Sequence, residues 1–137
     1  LYKSTENTFH QTLNKTINAP EFSVEMESIH EIEALQKNLT DYETLIISLF
    51  VPKAKPLNKF DIDEEVLEFL KNIIKRKKCF LYVFGNPYSL QVIPNLESAV
   101  GIIQVYQNFT EFQESAAQQL IHNLECKGTL PVFINGL

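Results

Sequence analysis

Cys79-Phe80-Leu81-Tyr82-Val83-Phe84-Gly85-Asn86-Pro87-Tyr88 is the stretch whose reading decides the fold. Phe80 to Phe84 is a short, unbroken apolar run rich in aromatic residues, as in a strand covered on both faces, and such strands belong to parallel sheets. Gly85 permits a sharp exit from the strand. Asn86 can cap a following helix through its side-chain oxygen, and Pro87 suits the first helical position, where no amide hydrogen bond is lost. Ser89 is expected to reinforce that cap. The segment reads as one β-to-α junction.

Working outward, the same pattern recurs. Thr44 to Val51 is a second continuous apolar strand closed by Pro52, and Ala99 to Tyr106 is a third, in which Gly101 allows a neighbouring element to come close. Phe22 to Met26 and Leu130 to Ile134 are candidate short strands. Between them lie helical patterns. Phe9, Leu13 and Ile17 share one face of a helix starting near Thr8, and Ile29, Ile32, Leu35 and Leu39 share another behind a Ser28 and Glu31 capping box. Asp61 with Glu64 suggests the same cap for a helix carrying Val66, Leu67, Leu70, Ile73 and Ile74. Thr110 with Gln113 suggests it again for a last helix with Phe112, Ala116, Ala117, Leu120, Ile121 and Leu124 on its face, and Gly128 just beyond the C-cap.

Apolar strands alternating with amphipathic helices specify an α/β domain: a three-layer αβα sandwich with a mostly parallel, flavodoxin-like sheet. Residues 1–137 are long enough for one such domain with a sizeable core, expected to be part of a larger multidomain protein. Doubly wound domains generally begin with a strand, whereas here the first element is a helix, so a first strand is expected to precede Leu1 or to be missing.

Charge and composition exclude several functions. A net charge of -5 and a pI near 5.2 argue against a nucleic-acid footprint, which needs clustered cations. The basic run Lys75-Arg76-Lys77-Lys78 falls at a helix C-terminus, where cations suit the dipole, and reads as a solvated helix end. No apolar stretch approaches the ~20 residues that span a bilayer, and no signal-peptide pattern is present, so an exported or periplasmic location is not read from these residues. Cys79, opening a core strand, and Cys126, closing a helix, lack metal or redox spacing and read as buried or half-buried thiols.

Candidate chemistry is sparse. Asp61, Asp63, Glu64 and Glu65 are the densest carboxylates, but all lie at a helix start, where they satisfy free amides. Glu25, Glu27, Glu31 and Glu33 alternate with apolar positions as exposed residues. His10, His30 and His122 are scattered over predicted helices without ligand spacing, which places them on helix surfaces and implies no metal. No Gly-x-Ser-x-Gly elbow or glycine-rich phosphate loop occurs, so neither catalytic nor cofactor-binding residues are assigned. An anion at the Asn86 and Pro87 helix start is physically allowed.

Phe84-Gly85-Asn86-Pro87-Tyr88, Ala116-Ala117 and Gly128-Thr129-Leu130-Pro131-Val132, in that order, resemble the C-terminal α/β sandwich domain of family 3 glycoside hydrolases, in the bacterial β-N-acetylhexosaminidase and β-glucosidase branch. The resemblance implies a parent glycosidase that hydrolyses terminal β-linked N-acetylhexosamine or glucose. Its nucleophile and, in the hexosaminidase branch, its acid/base lie on a separate (β/α)8 barrel. Other branches place an acid/base Glu in the sandwich domain, but the loop from Pro52 to Phe60 has no carboxylate to carry that role. The expectation is therefore a catalytically inactive accessory domain that partners the barrel of the same parent chain, with Gly85, Asn86 and Tyr88 as a cleft-rim loop in reach of carbohydrate. The alternative is a free-standing flavodoxin-like domain that binds a small anion or nucleotide.

Overall fold

The computed structural model describes residues 1, 7–25, 31–130 and 132–134. Among the described residues four α-helices and three strands follow in order: α1 (Thr8–Asn14), α2 (Ile32–Asn38), β1 (Thr44–Phe50), α3 (Glu64–Arg76), β2 (Lys78–Phe84), β3 (Gly101–Val105) and α4 (Thr110–Ile121). The strands form a parallel sheet in the order β1-β2-β3, with Ile47 opposite Leu81 and Leu81 opposite Ile102. The expected α/β sandwich is present.

Strand alternation sorts the core into two layers. Leu81, Val83 and Cys79 lie on the face covered by α3, where the Cys79 thiol reaches the Ile73 carbonyl at 3.7 Å. Tyr82 and Phe84 lie on the opposite face. There the Phe9 ring of α1 meets both, at centroid separations of 4.9 and 5.4 Å, and the Tyr82 hydroxyl donates to Gln119 of α4 at 2.7 Å. Phe50 and Phe84, register partners at the ends of β1 and β2, stack at 4.5 Å. Helices α1 and α4 pack together on this face, as do α2 and α3 on the other.

Val66, Leu67, Leu70, Ile73 and Ile74 are all buried, so the stripe read for α3 holds. Gly101 also has its expected role, since a Cβ there would meet Phe80 Cδ1 at 3.2 Å. Other expectations are corrected. Phe22 to Glu25, the described part of the expected Phe22 to Met26 strand, form no strand, and neither do the described residues of the 130–134 segment. Met26, Glu27, Ser28, Ile29, His30 and Pro131 lie outside the described residues. Helix α3 begins at Glu64 behind Asp63, and Asp61 is instead paired with Lys53 at 2.5 Å.

Helix α4 ends well before Gly128. Asn123 takes the left-handed conformation at φ 49, while the amides of Asn123 and Leu124 bond back to Leu120 and Gln119. This is a Schellman closure, with Asn supplying what was expected of Gly. The stripe of α4 is shifted as well: Gln113, Ala116 and Ala117 are buried, whereas Phe112 and Leu124 are exposed. Cys126, beyond the helix, is exposed rather than buried. Lys77 is no solvated charge either. Its ammonium donates to the carbonyls of Leu39, Thr40 and Tyr42 at 2.7, 2.8 and 2.5 Å, closing the turn after α2.

Candidate functional site

Parallel strands place all their exits at one end of the sheet, where ligand clefts of such folds lie. Gly85 leaves β2 at φ 135, a conformation that L side chains rarely adopt, and a Cβ there would stand 2.9 Å from Val51 Cβ. Its amide donates to Val105 at 2.8 Å and its carbonyl accepts from the Gln104 side chain at 2.7 Å. Asn86 then caps as expected, with its Oδ1 accepting from the Tyr88 amide at 2.9 Å. The helix it opens is a single 3-10 segment, Pro87–Gln91, rather than an α-helix. Ser89 does not reinforce the cap: it is fully buried and its hydroxyl has no hydrogen-bond partner among the described residues.

The exit of β1 is tied to the same place. The Asn86 amide group donates to the Ala54 carbonyl at 2.7 Å, so the loops after β1 and β2 form one rim. Within the β1 loop, Asn58, Lys59, Phe60 and Asp61 all have left-handed φ, between 49 and 61, anchored by the buried Phe60 ring. A run of non-glycine residues there is costly, so the loop is held by its contacts rather than by local preference. These exits also carry exposed apolar side chains: Leu57 after β1, Tyr88 after β2, Tyr106 and Phe109 after β3.

The rim is chemically quiet. Gly85 and Tyr88 amides, which an anion would need, are already engaged inside the protein. Among the described residues no group of three His, Cys, Asp or Glu side chains could hold a metal ion, and no helix is long and apolar enough to cross a membrane. The four carboxylates read together in the sequence do not act together. Asp61 pairs with Lys53 and Glu64 with Lys59, on an exposed surface loop and helix start.

A second constellation was not visible in the sequence. A cavity of about 210 Å³ lies along β1, and four polar groups on its wall are linked. His10 Nε2 lies 2.7 Å from Ser48 Oγ, His10 Nδ1 lies 3.9 Å from Glu21 Oε1, and Asn7 donates to the same carboxylate oxygen at 2.8 Å. His10 is therefore not a surface residue. Burial holds its pKa below the ordinary value, against the pull of Glu21 and with a smaller push from the Leu1 ammonium, so the imidazole is favoured neutral. The Leu1 ammonium itself, 2.7 Å from the Ser48 carbonyl, is pushed down from 8.0 to about 5 by desolvation.

Serine, histidine and carboxylate in that order suggest a nucleophile, but the geometry does not suit one. Ser48 sits inside a flat strand, is 3% exposed, and has no strained elbow to present its oxygen. The trio serves as a polar strut between α1 and the sheet. The one sequence signal for it was a lone serine within the apolar run Leu45 to Phe50. Of the other histidines, His122 is exposed at the end of α4. No family model, curated protein or solved structure matches this chain.

Proposed function

We propose that the chain is the non-catalytic accessory domain of a bacterial family 3 glycoside hydrolase, docking through the C-terminal end of its sheet on the catalytic (β/α)8 barrel of the same parent chain. The single observation behind this assignment is the rim itself, where Leu57, Tyr88, Tyr106 and Phe109 are exposed beside engaged backbone amides. Exposed apolar side chains at one end of a domain favour burial against a partner. The order of the Phe84 to Tyr88, Ala116-Ala117 and Gly128 to Val132 motifs supplies the family. Tyr88 offers an aromatic face to the edge of a sugar cleft, while hydrolysis of β-linked N-acetylhexosamine or glucose belongs to the barrel.

The test has two arms. The 137-residue chain is assayed with chromogenic β-N-acetylglucosaminide and β-glucoside, and separately titrated with the barrel of the parent chain. The expected outcome is no turnover by the chain alone and binding to the barrel that is lost in a Tyr88→Ala, Phe109→Ala double variant. Turnover by the chain alone, abolished by a point mutation within it, would overturn the assignment, as would failure to bind the barrel.

A further inference from the structure

In β1, odd-numbered residues direct their backbone groups at β2, as shown by the Glu43 carbonyl accepting from Lys78 and the Val51 amide donating to Phe84. Thr44, Ile46, Ser48 and Phe50 therefore turn theirs to the open edge. Among the described residues only two of these groups are met there, both by Leu1. The Leu1 nitrogen donates to the Ser48 carbonyl at 2.7 Å and the Leu1 carbonyl accepts from the Phe50 amide at 3.1 Å. One residue bonding to the carbonyl before and the amide after its partner is the repeat of a parallel ladder, with Leu1 opposite Leu49.

The cavity beside this edge is lined from both helical layers. A ligand pocket ordinarily opens on one face of a sheet, but this one is lined by Leu13 and Ile17 on the α1 side and by Leu35 and Phe69 on the α2 and α3 side. Its walls thus extend to both sides of the sheet plane, as needed for side chains that alternate between the layers. Its lining also includes Glu21, Phe22 and Ser23, and the last two open the segment Phe22 to Met26 that reads as a strand in the sequence but whose described residues lie in no strand.

The geometry points to a fourth parallel strand, contiguous with Leu1 and running into it, that fills this groove between β1 and residues 21–23. Its second residue upstream of Leu1 stands opposite Ile47, taking the Ile46 carbonyl and the Ser48 amide. Its fourth stands opposite Leu45, taking the Thr44 carbonyl and the Ile46 amide. Alternate side chains enter the two layers, so the occupant is apolar. The Leu1 nitrogen fits this arrangement as a peptide N–H, which makes the bond to Ser48 without the buried charge that desolvation opposes. The same strand gives residues 21–25 a neighbour.

The probe is the chain extended upstream of Leu1 by Val-Thr-Val-Ile-Val, compared with a Gly-Ser extension of equal length and with the apolar extension carrying Pro at the second position upstream. Amide exchange is followed at Ile46 and Ser48. Both amides are expected to slow at least tenfold with the apolar extension alone, together with a higher Tm in a monomer. The Pro version, lacking the N–H for the Ile46 carbonyl, is expected to lose the protection. Equal exchange in all three chains overturns the inference. Protection that appears only with a dimer, in which two β1 edges pair, overturns it as well.

Discussion

The side-chain oxygen of Gln113, on α4, accepts a hydrogen bond at 3.2 Å from the backbone amide of Phe9, 104 positions earlier at the start of α1. The Phe9 amide is one of those at a helix N-terminus that no intrahelical carbonyl can take, and Asn7 makes no side-chain cap for it. Gln113 is 1% exposed, and its amide group donates to the Asn108 carbonyl at 2.6 Å. One buried glutamine therefore caps a distant helix and holds the loop before its own.

Replacing it strands both backbone groups. Gln113→Leu is expected to cost about 2–3 kcal/mol, the penalty of leaving buried polar groups unsatisfied in place of a neutral exchange. Urea unfolding measures it, and an unchanged midpoint would show that the glutamine is only filler.

Two glycines should respond differently to the same substitution. Gly85→Ala combines a φ of 135 with a 2.9 Å approach to Val51 Cβ, so a loss of about 2–4 kcal/mol is expected. Gly128→Ala meets nothing within 4 Å and should leave the unfolding midpoint where it is. Equal effects at the two positions would refute the steric account of the junction.

The thiols should differ in reactivity. Cys79 is fully buried, and burial pushes its pKa up to about 11, whereas Cys126 is exposed. Ellman's reagent at pH 8 is expected to titrate one thiol in the native chain and two in denaturant. Cys126→Ser should leave no native reactivity, and fast labelling of that variant would contradict the packing of β2 against α3.

The chain that starts at Leu1 should lose stability on mild acidification. The Leu1 ammonium falls from 8.0 to about 5 on folding, and His10 also falls below its ordinary value, both chiefly through desolvation. Between about pH 8 and 5 the unfolded chain then binds more protons than the folded one, so stability is fully present above pH 8 and declines toward pH 5. Glu21 is the carboxylate that opposes both shifts. Thermal unfolding across this range checks the slope, and acetylation of the Leu1 amine should flatten it, leaving the His10 contribution. A slope of opposite sign would remove the buried amine from the account.

The sequence by itself determined the parallel α/β architecture, the core stripe of α3, the Asn86 cap and the sharp exit at Gly85. Each rests on local chemistry: unbroken apolar strands, 3.6-residue periodicity, a side-chain oxygen two residues before the amide it accepts, and a backbone angle that favours glycine. Only the tertiary structure decided that His10, Ser48 and Glu21 meet, that Gln113 caps α1, that Lys77 closes the turn after α2, and that residues 21–25 are not a strand. Those outcomes depend on partners outside the local segment. A polar side chain is satisfied by whichever group the packing brings within 3 Å, and an extended segment becomes a strand only when a neighbour supplies its hydrogen bonds.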